Sequence, residues 1–477
     1  QGSLLRNPSL TLHVLKRAGF TSAAKASPRP ARLPIVPGGA VMHSIPRAHL
    51  VPPRALAPLA SRGHTGASGG SVRLLPAAAF RGALASPFAS KPAQALASRN
   101  ASQRAPRLVS CAASEDMIIN GYSTDGMDIA KSDPMLLEHS EHLKYRYRQF
   151  LERKAAIEEV EGSLASFASG YKRFGFNTEG AELVYREWAP AAEELQLIGE
   201  FNDWNGEGHK AVKDDFGVWE LRMPVGAVPH GSKVKVRMKG SGWTDYVDRI
   251  PAWIKWATVE PGVMGAKYDG IHWDPPSLER HHFKNSKPPR ASAPRIYEAH
   301  VGMSGPEERV TTYAEFTELV LPRVKKLGYN TIQLMAVQEH AYYASFGYHV
   351  TNPFAVSSRS GNPEDLKALV DAAHGMGIAV LIDVVHSHAS SNAEDGLPGF
   401  DFGQHESSNY FHQGERGYHT HWDSRLYNYE GWEVQRYLLS NLRYWMEEFQ
   451  FDGFRFDGVT SMLVRPLAPL PHSRRSE

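Results

Sequence analysis

The sequence predicts a multidomain chain in which an all-β sandwich precedes the first half of an α/β (β/α)8 barrel of the TIM type. Two patterns carry this prediction. Over residues 178–285, short alternating strands are separated by Gly, Pro, Asn and Asp turns, which is typical of a small β-sandwich. Over residues 290–462, apolar strands alternate with amphipathic helices, which favours parallel βα units.

Charge sets the first part of the chain apart from these domains. Of the 53 Lys and Arg residues, 15 lie in residues 1–114, which contain no Asp or Glu, so the rest carries 38 basic and 51 acidic side chains. An Arg- and Ser-rich leader without acids or apolar periodicity predicts a disordered organelle transit peptide over residues 1–111. A basic arm that binds nucleic acid is the alternative, but the aromatic side chains that stack on bases are nearly absent there.

This leader contains a candidate processing site. The stretch VSCA at 109–112 resembles a plastid processing site, which predicts cleavage after Cys111 and a location in the chloroplast stroma or amyloplast. Cys111 is the only cysteine, so the mature chain has neither disulfides nor cysteine-built metal sites. No apolar run is long enough to span a membrane. We expect a monomer that binds neither membranes nor nucleic acid.

The segment before the sandwich has a helical pattern. Residues 112–177 are predicted to form an N-terminal helical segment, with helical periodicity from Asp133 onward. Its apolar side chains are spaced to form one stripe on a helix, and they are Leu136, Leu137, Leu143, Tyr147 and Phe150.

Three tryptophans in the sandwich region are candidates for core or ligand positions. Trp219 lies in an alternating strand and is predicted to be part of the core. Trp188 ends a strand and Trp204 lies in a turn, where an indole beside amides and carboxylates suits the apolar face of a sugar ring. The turn after residue 213 adds a polar rim to this site, or is only a hairpin loop. The predicted sugar-binding residues are Trp188, Ala189, Pro190, Trp204, Asp215, Phe216, Gly217 and Val218.

Four strands and their helices make up the predicted half-barrel. The strands are PRIYEAHVG, NTIQLMAV, GIAVLIDVV and FDGFRFDGV. Thr312 and Glu315 form a capping box that starts the first helix, and Pro322 should kink it. Asn362 caps the next helix, with Pro363 at its first position. In such barrels the chemistry lies at the carboxyl ends of the strands.

Charged side chains stand at those strand ends. Asp383 and His388 follow the third strand, while Arg455 and Asp457 project from one face of the fourth because they are two residues apart. A guanidinium keeps a neighbouring carboxylate ionised, as a carboxylate nucleophile requires. A buried Arg–Asp pair that only staples the strand is the alternative interpretation.

Several segments resemble one family. DVVHSH (383–388) and GFRFD (453–457) resemble the first and second signature regions of the α-amylase-type glycoside hydrolases. YEAHVGMS, QLMAVQEHAYYASFGYHVTN and SHAS narrow the resemblance to the glucan branching enzymes of eukaryotes. The resemblance extends from about residue 136 to Met462 and, with the plastid-like leader, points to the plant and algal starch enzymes. It implies that the sandwich is a glucan-binding module.

The resemblance also implies a role for each site residue. Asp457 is the nucleophile, Arg455 orients it, Asp383 and His388 contact the sugar in the cleavage subsite, and Tyr348 stacks on that sugar. The implied reaction is retaining: the carboxylate attacks an α-1,4 linkage while a second carboxylic acid protonates the leaving oxygen. A 6-hydroxyl of another glucan chain then receives the glycosyl group, which creates an α-1,6 branch in starch.

Two further features concern the expected substrate and metal content. The helix before the fourth strand starts at the catalytic face, so its free N–H groups are expected to meet glucan hydroxyls. The residues of that turn are Glu433, Val434, Gln435 and Arg436. His386 and His388 lie two apart, but no third ligand is evident and the family uses no metal, so we expect neither metal nor cofactor. The expected partner is an α-glucan.

The chain departs from the family pattern near its end. The acid glutamate and a stabilising aspartate should follow position 477, and residues 463–477 have no barrel character and form an aberrant tail. We therefore expect a branching enzyme whose sequence is cut short by a faulty gene model and which is inactive as written. A genuine truncated product that binds glucan without catalysis is the first alternative. A debranching or amylolytic hydrolase is the second.

Overall fold

A computed structural model provides the structure of the chain. It describes residues 125–260, 267–335, 337–402 and 409–463, all within the compact unit Leu108–Glu477. The predicted transit peptide lies outside the described residues, as do all but the first residue of the predicted tail.

Helices come first in the described part of the chain. They are α1 (Asp128–Ser132), α2 (Ser140–Glu161) and α3 (Leu164–Phe167), with 3₁₀ turns at Pro134–His139 and Gly170–Lys172. The predicted apolar stripe is not buried: Leu137 and Phe150 are exposed, its other three residues are half-buried, and Ile157 is the buried residue of α2. Polar contacts hold α2 instead, because Arg153 Nε donates to Gln435 Oε1 at 2.7 Å. None of the described helices is both long and apolar enough to cross a membrane.

Antiparallel strands then form the sandwich. They are β1 (Gly175–Glu179), β2 (Glu182–Trp188), β3 (Ala192–Gly199), β4 (Val212–Lys213), β5 (Val218–Pro224), β6 (Lys233–Gly240), β7 (Val247–Arg249), β8 (Trp256–Thr258) and β9 (Asp269–Ile271). One sheet has the order β1-β2-β5-β4, and the other contains β3-β6-β9-β8 with β7 paired to β6. Tyr185, Leu197 and Val234 are fully buried in the core of this domain. Trp219 is also buried, so its predicted core position is confirmed.

One carboxylic acid lies inside the sandwich core. Glu187 of β2 is fully buried, and its Oε2 accepts hydrogen bonds from the Tyr185 hydroxyl at 2.8 Å and the Ala252 N–H at 2.9 Å. Its Oε1 has no hydrogen-bond partner among the described residues. Burial raises the pKa of Glu187 to about 8, against the effect of these hydrogen bonds. The protonated form of this side chain is therefore the one that fits the fold.

This burial predicts a pH dependence of stability. A carboxyl group whose pKa is raised in the folded state favours folding at acid pH, and that contribution is lost as the pH rises towards 8. We expect Glu187→Gln to reduce the loss of unfolding free energy between pH 5 and pH 8, by about 1.4 kcal/mol per pH unit at most. Urea denaturation at several pH values measures this difference. Glu182→Gln, an exposed position on the same strand, should leave the pH profile unchanged. Identical profiles for Glu187→Gln and the unchanged chain would contradict the prediction.

Parallel βα units follow the sandwich. The strands are β10 (Ile296–His300), β11 (Thr331–Met335), β12 (Gln338–Glu339), β13 (Asn352–Val356), β14 (Ala379–Val384), β15 (Ala389–Ser390), β16 (Tyr418–His419), β17 (Ser424–Arg425) and β18 (Gly453–Phe456). The helices are α4 (Tyr313–Glu315), α5 (Leu321–Lys326), α6 (Pro363–Gly375), α7 (Trp432–Glu448) and α8 (Val459–Leu463). β10, β11, β14 and β18 form a parallel sheet in that order, as predicted for the first half of a barrel. β15, β17 and β16 form a small separate sheet.

The predicted helix starts are present in this region. Thr312 and Glu315 form the predicted capping box, and the Asn362 side chain accepts from the N–H groups of Glu364 and Asp365. The helix that contains Pro322 does not continue as a regular α-helix: a π-helical turn over Phe316–Val320 separates α4 from α5. Proline lacks an N–H and crowds the preceding turn, which explains the irregularity just before it.

The second sandwich sheet continues into the barrel region. β8 pairs in parallel with β13 through Trp256 and Val356, and β13 pairs antiparallel with β12. The full sheet order is therefore β12-β13-β8-β9-β6-β3. Periodicity predicts strands but does not predict pairing between strands so far apart in sequence, so this connection was not expected.

Candidate active site

A cleft of about 880 Å³ opens at the carboxyl ends of the parallel strands. Strand register determines its centre, because Asp383 of β14 pairs directly with Arg455 of β18. Asp457 follows β18, and its N–H donates to the Val384 carbonyl at 3.0 Å. The structure therefore brings together the residues predicted from the third and fourth strands. The cleft is lined by Ala341, Tyr342, Ala344, Ser345, Tyr348, His349, His388, Ser390, Ser391, Asn392, His421, Trp422, Asp423 and Asp457.

One guanidinium nitrogen links two carboxylates at the cleft. Arg455 Nη1 donates to Asp383 Oδ1 at 2.9 Å and Oδ2 at 3.0 Å, and to Asp457 Oδ1 at 2.8 Å. The Tyr348 hydroxyl donates to Asp383 Oδ2 at 3.0 Å. Asp383 thus binds the arginine and the tyrosine, and Arg455 in turn fixes the orientation of Asp457. A charge-assisted network of this kind is rigid as well as strong.

Burial and charge fix the protonation of this network. The side chain of Asp383 is only 2% exposed, and burial raises its pKa although Arg455 opposes that rise. Burial works against the charge of Arg455, but its hydrogen bonds to Asp383 raise its pKa above the usual range, so the guanidinium stays charged. Burial and the nearby Asp383 charge raise the pKa of Tyr348, so its hydroxyl remains a donor.

The two histidines of the third strand end have different surroundings. His388 lines the cleft, with Nε2 3.0 Å from the Tyr348 carbonyl and Nδ1 2.9 Å from Ser387 Oγ. Burial lowers the pKa of His388 to about 4, so the ring is neutral at neutral pH. His386 is buried away from the cleft lining, and its Nε2 lies 2.9 Å from Asn441 Oδ1. Over the described ranges, no group of three His, Cys, Asp or Glu is arranged to hold a metal ion.

A second carboxylate lines the cleft but is a poor acid. Asp423 Oδ1 accepts hydrogen bonds from the Tyr418 hydroxyl and from Ser391 Oγ. These bonds lower the pKa of Asp423, so it holds its negative charge rather than a proton. The cleft therefore presents the Asp457 carboxylate with its cation Arg455, and Asp423 does not suit the acid role.

Most of the sandwich residues predicted to bind sugar, but not Trp204, meet at one corner. Trp188 is 5% exposed and packs edge-on against Tyr410, with its Nε1 donating to the Phe216 carbonyl. The ring of Tyr410 thus covers part of the indole, and the predicted role of Trp188 as a sugar platform stays a prediction. Ala189 and Val218 are buried as well, and the Ala189 N–H donates to the Gly217 carbonyl at 3.0 Å.

Four of the residues predicted to bind sugar remain at least partly accessible. Phe216 is 79% exposed, Asp215 is exposed, and Pro190 is half-buried against Gly217. Trp204 is half-buried and has a positive φ of 60°, a conformation that costs energy in a non-glycine residue and is common at functional sites. Sugar binding by these residues stays a prediction.

Alanine substitutions should distinguish the role of Trp188 from that of Trp204. Trp188→Ala removes a buried indole and is expected to lower the unfolding free energy by about 3–5 kcal/mol. Trp204→Ala should leave stability nearly unchanged and weaken amylose binding by about three- to tenfold, which corresponds to one lost stacking contact. Chemical denaturation and affinity electrophoresis in amylose gels measure the two effects. Loss of amylose binding by a stably folded Trp188→Ala chain would contradict a purely structural role of Trp188.

The first turn of α7 uses its side chains within the protein. Arg436 is buried, and it donates to Glu161 Oε1 at 2.6 Å and to Glu433 Oε2 at 2.8 Å. Val434 is fully buried, and Gln435 Nε2 donates to the Tyr429 carbonyl. These side-chain contacts join the turn to α2. The predicted contact between the N–H groups of Glu433, Val434, Gln435 and Arg436 and glucan stays a prediction.

Sequence reasoning missed several residues that line the cleft. Trp422, His421 and Asn392 come from the long connection between β14 and α7, and Tyr342 and His349 come from the loop between β12 and β13. They are single residues in irregular segments, so periodicity gives them no signal. An aromatic residue in a long loop at the catalytic end of a barrel was the available signal.

Two family models match parts of the chain. Residues 173–254 match the carbohydrate-binding module 48 (isoamylase N-terminal domain), and residues 319–419 match the alpha amylase catalytic domain. The chain therefore carries a module of the first kind followed by part of an α-amylase-type catalytic barrel. The catalytic module of the glycogen-degrading pneumococcal virulence factor SpuA shares this fold, at 18% identity and a TM-score of 0.50, over 61% of this chain and 48% of that one.

Several curated proteins with high sequence identity to the chain are 1,4-alpha-glucan-branching enzymes. The chain is 60% identical over 343 residues to the chloroplastic/amyloplastic 1,4-alpha-glucan-branching enzyme of Oryza sativa, which covers 71% of this chain and 42% of that protein. It is 59% identical to the 1,4-alpha-glucan-branching enzyme of Solanum tuberosum (71% and 40%) and 53% identical to that of Emericella nidulans (71% and 50%). The chain is thus a homologue of plant and fungal 1,4-alpha-glucan-branching enzymes. It spans about two fifths to half of the length of these relatives.

Proposed function

We propose that the protein is a 1,4-α-glucan branching enzyme that transfers a segment of an α-1,4-glucan to a 6-hydroxyl through a retaining double displacement. The observation that carries this proposal is the position of Asp457 in the cleft, held by Arg455. The sandwich, which matches a carbohydrate-binding module, supports an α-glucan substrate. The identity to branching enzymes of plants and fungi supports transfer to a sugar hydroxyl rather than to water.

The geometry divides the work of the first step among these side chains. Arg455 binds Oδ1 of Asp457, while Oδ2 has no hydrogen-bond donor among the described residues and is free to attack the anomeric carbon. Asp383 is too buried to present a free oxygen, so it acts by fixing Arg455 and Tyr348. The ring of Tyr348 and the neutral His388 then form the wall beside the attacked sugar. Attack gives a covalent glycosyl ester, which the acceptor hydroxyl resolves in the second step.

Formation of α-1,6 linkages tests the proposal. Because the chain spans part of the length of its relatives, the native protein should be purified with an antibody against residues 125–463 and incubated with amylose. New α-1,6 anomeric proton signals without a matching rise in reducing ends are expected. Reducing ends without α-1,6 signals would identify a hydrolase and overturn the proposal. Plastid location belongs to the proposal too, since the rice and pea relatives are named chloroplastic/amyloplastic, and plastid fractionation tests it.

A further inference from the structure

A short hairpin places one tryptophan at the cleft. β16 and β17 pair through Tyr418–Arg425 and His419–Ser424, and β17 also pairs with β15 in the cleft wall. Trp422 lies in the turn between the two strands of this hairpin and lines the cleft together with Asp457. The residue is 39% exposed, whereas Trp188, Trp219, Trp253 and Trp445 are all buried.

Contacts on several sides hold the indole of Trp422 in place. Its ring stacks on His419, with centroids 4.0 Å apart and an interplanar angle of 18°. The backbone of the residue is also held: the main-chain N–H of Trp422 donates to the His419 carbonyl at 3.1 Å, and its main-chain carbonyl accepts from Ser424 Oγ at 2.7 Å. The next residue, Asp423, accepts from Tyr418 of the opposite strand and from Ser391 of the cleft wall. A side chain fixed in this way loses little conformational entropy when a ligand packs against it.

The indole also approaches the nucleophile. Gly458 directly follows Asp457 and has a φ of 59°, and a Cβ placed on it would lie 3.4 Å from Cζ3 of Trp422. The ring of His388, beside the attacked sugar, lies 5.0 Å from the Trp422 ring. Trp422 therefore stands next to the position where the covalent bond forms, and His388 contacts both the Trp422 ring and the Tyr348 carbonyl.

We propose that Trp422 is a stacking platform for the glucose unit adjacent to the one that Asp457 attacks, and that His419 is the positioning residue that sets the angle of this platform. This inference rests on the proposed function for its substrate class. A rigid, partly exposed indole between polar side chains suits the apolar face of a sugar ring. Stacking at this position fixes the register of the glucan chain over Asp457.

Protection against covalent labelling of Asp457 reports glucan binding in the cleft and is insensitive to glucan bound at the sandwich. An activated reagent, 5-fluoro-α-glucosyl fluoride, esterifies Asp457 with loss of fluoride, a leaving group that needs no acid. Maltotriose should slow this labelling, and the concentration that halves the rate reports glucan binding in the cleft. The full 477-residue chain is used throughout. Trp422→Ala should raise that concentration about tenfold, as expected for one lost aromatic stacking contact.

Matched variants separate stacking from a structural role. Trp422→Phe keeps a ring and should retain most of the protection, while Trp422→Leu keeps apolar volume without a ring and should resemble Trp422→Ala. His419→Ala should raise the half-protecting concentration by a smaller factor of about two to three, because the platform remains but loses its support. Trp243→Ala, at another tryptophan that is 43% exposed, should have no effect.

Each result bears on the platform alone. Equal protection of Trp422→Leu and Trp422→Phe, or an unchanged half-protecting concentration in Trp422→Ala, would overturn the inference. Absence of α-1,6 linkages from the native protein would overturn the branching proposal, but a protection defect in Trp422→Leu would still establish the platform.

Discussion

Asp457→Asn is expected to abolish covalent labelling by 5-fluoro-α-glucosyl fluoride, with a rate loss of at least about 10⁴-fold. The amide cannot attack the anomeric carbon, whereas Arg455 keeps its contacts with Asp383 and therefore its position. Binding of maltotriose should persist, because the walls of the cleft are unchanged. Mass spectrometry of peptic fragments locates the ester on Asp457 in the unchanged chain.

Asp423→Asn is the matched control for this substitution. Asp423 lines the same cleft and accepts hydrogen bonds from two neighbours, but it is not linked to Arg455. We expect the Asp423→Asn chain to be labelled at a rate close to that of the unchanged chain. A labelled residue other than Asp457, or unchanged labelling of Asp457→Asn, would show that the nucleophile has been assigned wrongly.

Arg455→Ala should lower both the unfolding free energy and the rate of covalent labelling. It leaves the buried Asp383 carboxylate with only the Tyr348 hydroxyl; because the Arg455 side chain is itself 39% exposed, we expect a cost of about 1–3 kcal/mol, as for a buried polar group that loses a partner. It also frees Asp457 Oδ1, so the nucleophile loses its orientation and labelling should slow by about 10²-fold or more. Urea denaturation and the labelling rate measure the two effects.

Arg309→Ala provides the comparison for Arg455→Ala. Arg309 also pairs with two carboxylates, Glu307 and Glu315, but its side chain is 52% exposed. Exposed pairs contribute little, so the cost should stay below about 1 kcal/mol. If Arg455→Ala and Arg309→Ala lose the same unfolding free energy, the burial of Asp383 does not explain the stability that the Arg455 network contributes.

The placement of the site residues was predictable because it follows strand geometry. Two residues on one face of a strand, and the parallel order of four strands, place Asp383, Arg455 and Asp457 together without knowledge of any loop. The capping box of Thr312 and Glu315 was predictable for the same reason, since it depends on local sequence.

The contacts that the sequence did not predict lie where distant segments meet. Trp188 ends a strand, as predicted, but a loop more than 200 residues later in sequence supplies Tyr410 and buries it. Arg436 looked like part of an open helix start, but Glu161 of α2 neutralises it there. Trp422 was overlooked because its position depends on a hairpin that no periodic pattern marks. Local sequence does not contain the identity of such partners.

Because the sandwich and the barrel region share one sheet, we expect the strands of that sheet to work only when they come from the same parent protein. Strands β12 and β13 flank the loop that supplies Tyr342, Tyr348 and His349 to the cleft, and β13 pairs with β8 of the sandwich. A domain exchange that replaced the sandwich at the linker would cut this sheet between β8 and β13, leaving an unpaired edge on each side. Recombination between related enzymes should therefore succeed only when crossovers keep residues 256–356 from one parent.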